Sequence, residues 1–406
     1  MAQRVYLFFP DMKIAKRIYG SMVGVALALV AGIPVARSAA PADPPAPSPA
    51  ATGWTLTALG TLGGDSSRAN AINDAGQVVG AADTSLKNPA NAGGRMIRDP
   101  FFAHAFLYAD GKMQDLGALN GNESEARAIN SSGQIVGQVG GYFGHAFLYS
   151  DGQMSNFDFP DGGSSQPMAI NASGQIVGMS SVKPQFAGYN KVILFRDGKM
   201  QDLNLSNFFG KDSGLVSIVG MNDAGLILGE ILNFGFGSGK EMGRAFIYHP
   251  EGWVEFIGFY PSAINAAGQV VGQGNLTASN GSMHAFLYSD GKEQDLGALG
   301  EVFSSARAIN ASGQVVGIFG ASVTHKEPAQ GHAFVYRDGK MQDLNTLVGE
   351  AGLAAAGFKV LYTATGINAR GQIVGTGTDL KGHDMAFLLT PPPERKGATD
   401  NKAGQP

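Results

Sequence analysis

The most regular feature along the chain is a decapeptide of paired apolar positions around a polar centre, repeated seven times. The first copy, AINDAGQVVG from Ala71, places Ala-Ile before the polar centre and Val-Val after it. In every copy an Asn precedes a Gly by three residues, which is typical of a type I turn that ends with glycine in the left-handed region. Each copy therefore predicts a hairpin of two strands, called strands a and b, and the copies begin at 71, 128, 169, 220, 263, 308 and 366.

A second block, HAFLY or a close variant, follows each decapeptide, and every residue after its first position is apolar. This pattern predicts a strand c that is buried on both faces, so that its sheet packs between two others. Asp-Gly pairs at 110, 151, 197, 290 and 338, and the variant Glu251-Gly252, predict tight two-residue turns into a strand d. Strand d alternates apolar and polar residues, as in Met113-Gln114-Asp115-Leu116, which suits an outer edge.

The spacing of the decapeptides, 41 to 58 residues, is that of propeller blades. Four antiparallel strands, repeated seven times, predict an all-β, seven-bladed β-propeller over residues 54–390. The seventh strand c runs into Pro391-Pro392-Pro393, and proline stops ladder pairing, so the last blade lacks its own strand d. Residues 54–59 align with the d block, and we expect them to pair with residues 385–389 and close the ring.

These blocks resemble the HAF-repeat family of exported bacterial proteins. The resemblance is carried by His-Ala-Phe-Leu-Tyr, Asp-Gly-Lys-Met-Gln-Asp-Leu-Gly and Ala-Ile-Asn-x-x-Gly-Gln-Val-Val-Gly, and it covers residues 54–390. It implies a propeller and an exported protein. It implies little about activity, because the family is named for its repeat.

The N-terminus has the pattern of an export signal. Lys13, Lys16 and Arg17 precede an apolar run over residues 22–33, which is followed by small residues. This run of 12 residues is shorter than the roughly 20 needed to span a bilayer. We predict translation from Met12, a signal peptide over residues 1–38, and a secreted or periplasmic protein without a membrane span after cleavage. Residues 39–53 and 391–406, rich in Pro, Ala and polar residues, are predicted to be a linker and a disordered tail.

Charge and cysteine content exclude several classes of function. The full chain has 406 residues with 29 basic and 33 acidic side chains. Cleavage after residue 38 removes five basic and one acidic residue and leaves a net charge of −8, which disfavours nucleic acid as a partner. The absence of Cys excludes disulfides, thiolate metal sites and Cys nucleophiles.

No catalytic, metal or cofactor motif is identified in the sequence. The His of the HAFLY block recurs at 104, 145, 284 and 332, where other copies carry Lys191, Arg244 and Met385. A metal site does not tolerate such substitution, so we interpret these histidines as polar contacts at the start of strand c. The recurring Asp115, Asp202, Asp295 and Asp343 are likewise structural by this interpretation, because equivalent residues diverge around a ring.

Function is expected on the face that carries the b-to-c and d-to-a connections, since all the variation in loop length falls there. We predict a non-enzymatic binding module for an extracellular glycan, polymer or protein. The alternative left open is a propeller lyase or hydrolase acting on an extracellular polymer. The candidate ligand-binding residues are Arg95, Arg98, Phe101, Phe102, Phe234, His325, Lys359 and Tyr362.

Overall fold

The structure is a computed structural model that describes residues 53–87, 101–140, 144–160, 163–181, 190–205, 215–232, 244–275, 282–320 and 331–393. The predicted signal peptide, the linker up to residue 52 and residues 394–406 lie outside the described residues. The described chain forms seven antiparallel sheets of four strands each, one sheet per repeat. The predicted seven-bladed β-propeller is therefore confirmed.

The four strands of each blade run in the predicted order from the inner edge to the outer edge. The inner strands, a, are β2 Gly63–Ile72, β6 Ser124–Ile129, β10 Ser165–Ile170, β14 Leu215–Met221, β18 Tyr260–Ile264, β22 Ser304–Ile309 and β26 Phe358–Ile367. The b strands are β3 Val78–Lys87, β7 Ile135–Val139, β11 Ile176–Ser181, β15 Ile227–Leu232, β19 Val270–Asn275, β23 Val315–Phe319 and β27 Ile373–Asp379. The c strands are β4 Phe101–Ala109, β8 His145–Ser150, β12 Asn190–Arg196, β16 Arg244–Tyr248, β20 Met283–Ser289, β24 His332–Arg337 and β28 Asp384–Thr390. The outer strands, d, are β5 Lys112–Asp115, β9 Gln153–Asn156, β13 Lys199–Asp202, β17 Val254–Ile257, β21 Lys292–Asp295, β25 Lys340–Asp343 and β1 Thr55–Ala58.

The N-terminal strand closes the ring. β1 pairs antiparallel with β28, with Thr55 opposite Thr390 and Ala58 opposite Phe387. The Leu59 amide continues the ladder by donating to the carbonyl of Ala386 at 2.9 Å. The last blade thus takes its outer strand from the opposite end of the domain, as the proline run at 391–393 predicted.

The core lies between the blades. The Phe of the HAFLY block is fully buried in blades 1, 2, 4, 6 and 7, as Phe106, Phe147, Phe246, Phe334 and Phe387. In one representative cluster, Ala126, Ile135 and Phe147 of blade 2 pack on Val79 and Ala105 of blade 1. The paired apolar residues of strands b and c serve opposite faces of the same sheet, which explains why both strands have near-continuous apolar runs.

A β-bulge in each inner strand explains the Gly that ends the repeated decapeptide. The register shifts between Ala306 and Ala308, so that the strand crowds its neighbour at this point. A Cβ atom at Gly317 would lie 2.1 Å from the carbonyl oxygen of Ser305 and 2.9 Å from the Phe334 ring. Only glycine fits there, because the contact is with backbone and cannot be relieved by a rotamer change.

Two features differ from the sequence prediction. Leu344–Val348 and Glu350–Ala355 form short helices between β25 and β26, in a d-to-a connection for which the sequence predicted no helix. The variant Glu251-Gly252 is not a two-residue turn: Gly252 donates to the His249 carbonyl, and His249 donates to the Trp253 carbonyl. The five Asp-Gly turns do adopt the predicted conformation, with positive φ at both central residues, as at Asp110 (51°) and Gly111 (77°).

Candidate functional site: the central channel and its variable face

The two faces of the ring are built from different connections. The a-to-b turns of all seven blades and the c-to-d turns of blades 1 to 6 emerge on one face, called the short-turn face, and they are all short. The b-to-c and d-to-a connections emerge on the other, called the variable face, because successive strands are antiparallel. The inner strands of neighbouring blades contact each other around the whole ring and surround the central channel that connects the two faces.

The short-turn face is tied together by the Asn of each decapeptide, a set called the asparagine ring. Each side-chain amide donates to the backbone carbonyl of the equivalent Asn in the next blade. The links are 73 to 130 (3.0 Å), 130 to 171 (3.1 Å), 171 to 222 (3.4 Å), 222 to 265 (2.9 Å), 265 to 310 (3.0 Å), 310 to 368 (3.0 Å) and 368 to 73 (3.1 Å). The circle is complete.

These amides use most of their hydrogen-bonding capacity within the ring and within their own turns. Asn310, for example, also donates to Gln314 Oε1 and accepts from the backbone amides of Ser312 and Gln314. All seven asparagines are buried, with 3% to 6% of their surface exposed. At this end of the channel, the asparagine side chains therefore hold the blades together and are not available to bind a ligand.

On the variable face, the repeated histidines make the polar contacts predicted for them. Nδ1 of His104 lies 3.0 Å from the Asp115 carboxylate, and His284 and Asp295 repeat this geometry at 3.0 Å. His332 lies 2.8 Å from Asp343. Each pair joins the start of strand c to the end of strand d within one blade, so these groups pin the outer hairpin and do not converge.

The predicted ligand-binding residues fall into two groups. Arg95, Arg98, Phe234 and His325 lie outside the described residues. Phe101 and Phe102 begin β4 on the variable face and are partly buried, while Lys359 is exposed and Tyr362 partly buried near the start of β26. Phe101 and Phe102 therefore belong to blade 1, and Lys359 and Tyr362 to the adjacent blade 7.

Tyr362 lies in a polar cluster where blade 7 meets blade 1. Burial raises the pKa of its hydroxyl well above the ordinary value, and the charge and hydrogen bond of Asp384 raise it further. A hydrogen bond with Thr376 and the nearby charge of Arg68 act in the opposite direction. The phenol is thus held in its neutral form as a hydrogen-bond partner of a carboxylate.

A bulged residue interrupts each inner strand beside the channel, three positions before the ring asparagine. The register of every inner strand shifts at this residue, so it does not face a partner in strand b. These positions are occupied by Asn70, Arg127, Met168, Val219, Ser262, Arg307 and Thr365. The sequence analysis did not single out these positions. The signal that could have identified them is that the residue varies at one position of an otherwise regular repeat.

Two of the bulged residues are arginines. Arg127 donates to Gln138 Oε1 at 3.1 Å and approaches the sulfur of Met168 at 3.6 Å, and its Nε is buried without a partner among the described residues. Arg307 is exposed to solvent, and yet burial lowers the pKa of its guanidinium.

Glu125 on β6 and Glu230 on β15 are two carboxylates on the inner two strands of their blades. Glu125 accepts a hydrogen bond from the amide of Asn70 at 2.9 Å, on the blade 1 side of the channel. Burial raises the pKa of Glu230 on β15. The pKa of Tyr260 is raised mainly by its own burial and further by the negative charge of Glu230. In the described part of the chain, no group of three or more His, Asp or Glu side chains could hold a metal ion.

A separate cavity of about 450 Å³ lies on the short-turn face between blades 6 and 7. Trp54 and Pro391–Pro393 form one side, and Arg337 lies over the Trp54 ring at 5.2 Å. The closing strand creates this cavity, since Trp54 immediately precedes β1. No described helix is long and apolar enough to cross a membrane.

Comparison with known proteins supports the fold. No protein-family model matches the chain, and no curated protein matches it in sequence. The β-propeller domain of the Trilobed protease from Pyrococcus furiosus is similar in structure, with a TM-score of 0.53 and 9% identity over 81% of this chain and 94% of that one. The acylaminoacyl peptidase of Pyrococcus horikoshii gives a TM-score of 0.51 and 8% identity, and the match covers 82% of this chain but only 52% of the peptidase. At these identities the similarity establishes the propeller architecture alone.

Proposed function

We propose that this protein is an exported binding module that takes an extracellular glycan, polymer or protein on the variable face, over the mouth of the central channel. The difference between the two faces is the observation that carries the proposal. At the short-turn end, the asparagines of the decapeptides are buried and hydrogen-bond to one another around the ring. The variable face carries the connections that differ between blades, and such connections on a rigid scaffold are where repeat proteins place their ligand sites.

Export is part of the proposal and rests on residues 12–40, whose basic, apolar and small-residue segments follow the order of a signal peptide. The resemblance to HAF-repeat proteins supports the same location. N-terminal sequencing of the exported protein tests it, and we expect the mature chain to begin near Ala39. A mature chain that begins before residue 30 would contradict the cleavage.

The binding function is tested with the mature chain in a screen of polysaccharides and peptide libraries, each ligand being assayed for binding and for turnover. We expect binding without product. Product formation would favour the alternative, a lyase or hydrolase. Once a ligand is known, Arg98→Ala and Phe102→Ala should weaken its binding and leave the melting temperature nearly unchanged. If binding maps instead to the Asn-x-x-Gly turns, the assignment to the variable face is wrong.

A further inference from the structure

The two channel arginines occupy the same position in different repeats. Arg127 in SEARAIN and Arg307 in SSARAIN both stand three residues before a ring asparagine, at the bulge of their inner strand. Because the asparagine ring links all seven inner strands at one repeat position, the backbones of the two residues stand at equivalent heights in the ring. Blades 2 and 6 are separated by blades 7 and 1 on one side and by blades 3, 4 and 5 on the other, so the two positions lie on nearly opposite sides of the ring.

The surroundings of Arg307 supply none of the contacts that hold Arg127. In blade 2 the neighbouring strand b offers Gln138 as an acceptor, and the bulge of the next blade offers the Met168 sulfur. The equivalent residues near Arg307 are Ile318, which is apolar, and Thr365, whose hydroxyl donates to the Ala69 carbonyl at 2.7 Å. Within the described ranges, Arg307 therefore has no hydrogen-bond acceptor and no carboxylate.

Among the residues that the structure describes, neither arginine has a carboxylate as a counter-ion. Arg127 contacts only neutral groups in the described residues, and its Nε remains unpaired in a buried position. The carboxylate nearest in sequence, Glu125, is hydrogen-bonded to Asn70 of blade 1. An unpaired donor inside a protein costs free energy, and a guanidinium presents its donors in a fork that fits carboxylate and phosphate oxygens.

We propose that Arg127 and Arg307 form an anion-binding site inside the central channel, and that it takes a ligand with two negative charges, either a dicarboxylate or a phosphate. The ligand reaches it from the variable face, because the asparagine ring occupies the other end. The inference rests on the proposed function in that it names the chemical class recognised by the same binding module. One guanidinium on each wall matches a dianion better than a monoanion, since each charge then has its own partner.

Calorimetric titration of the mature protein with succinate, citrate and inorganic phosphate tests the site, with glucose as the neutral probe. We expect at least one anion to bind, and glucose not to, with an affinity that falls as salt rises. The succinate and citrate arms separate a carboxylate ligand from a phosphate ligand. Arg307→Gln and Arg127→Gln should each weaken the binding by about tenfold or more, since a charged hydrogen-bonding partner is lost.

Arg370→Gln is the matched control, because Arg370 belongs to the a-to-b turn of blade 7 on the short-turn face. This variant should bind the anion as the parent protein does. The site is refuted if no anion binds, or if Arg307→Gln and Arg127→Gln, folded by circular dichroism, bind as tightly as the parent. If none of the anions binds but a neutral ligand does, and both variants retain that binding, the anion site is refuted while the proposed function stands. Turnover of a ligand would instead overturn the proposed binding function.

Discussion

The asparagine ring should stabilise the propeller by an amount that depends on how many hydrogen bonds each Asn makes. Asn310 makes four with its side chain, to Asn368 O and Gln314 Oε1 as donor and from the amides of Ser312 and Gln314 as acceptor. Asn222 makes two, to Asn265 O and from the Leu226 amide, because Leu226 replaces the usual Gln. The two side chains are almost equally buried, at 4% and 5% exposure.

Replacing each of these asparagines by Ala opens one link of the ring, since the backbone carbonyl that accepts from the preceding blade remains. At about 1 kcal/mol net for each buried hydrogen bond, Asn310→Ala should lower the free energy of unfolding by about 4 kcal/mol and Asn222→Ala by about 2 kcal/mol. For a domain of this size, 1 kcal/mol corresponds to roughly 1.5 °C in melting temperature. We therefore expect melting temperatures lowered by about 6 °C and about 3 °C.

Urea unfolding followed by far-ultraviolet circular dichroism, with a thermal melt of each variant, measures these differences. The comparison is internally controlled, because both substitutions remove an Asn from the same repeat position and leave a similar void. Equal destabilisation by the two variants would refute the attribution to local hydrogen bonds. A loss below about 0.5 kcal/mol for Asn310→Ala would refute the view that the ring stabilises the fold at all.

Three further outcomes are expected. Removing residues 54–60 should lower the melting temperature of the whole domain, because it exposes the edge of β28 and removes the ring closure; a truncated protein that melts as the full chain does would contradict this. Gly133→Val should lower the melting temperature and leave ligand binding intact, since Gly133 has a φ of 79° in a tight turn of the short-turn face. An unchanged melting temperature would show that the turn tolerates the strain. Glu230→Gln should stabilise the protein at pH 7, because burial raises the pKa of the Glu230 carboxyl in the folded state. The stability associated with this carboxyl is fully present below its unfolded pKa of 4.5, and it is lost as the pH rises through the higher pKa of the folded state. A pH profile of stability that is the same with and without the carboxylate would refute this last expectation.

Almost all of the architecture of this protein could be predicted from local patterns in its sequence. The Asn-x-x-Gly and Asp-Gly turns, the double-faced apolar strands and the count of seven repeats are local patterns, and each specifies a turn or strand through its own backbone and burial preferences. Ring closure was also predictable, because Pro391 stops the last ladder and Trp54 opens an unpaired d-type strand. The helices at Leu344–Val348 and Glu350–Ala355 were missed, since a single insertion carries no repeat signal.

The candidate site was decided by tertiary structure. The links of the asparagine ring join residues 41 to 58 positions apart, and one joins residues 295 positions apart, so no local pattern could reveal them. Arg127 and Arg307 form the proposed pair only because the closed ring places two bulges of its inner strands, at one repeat position, around the same channel. In the sequence, Arg127 and Arg307 are single charged residues in two different repeats. They are brought to the same channel only when seven blades close into a circle.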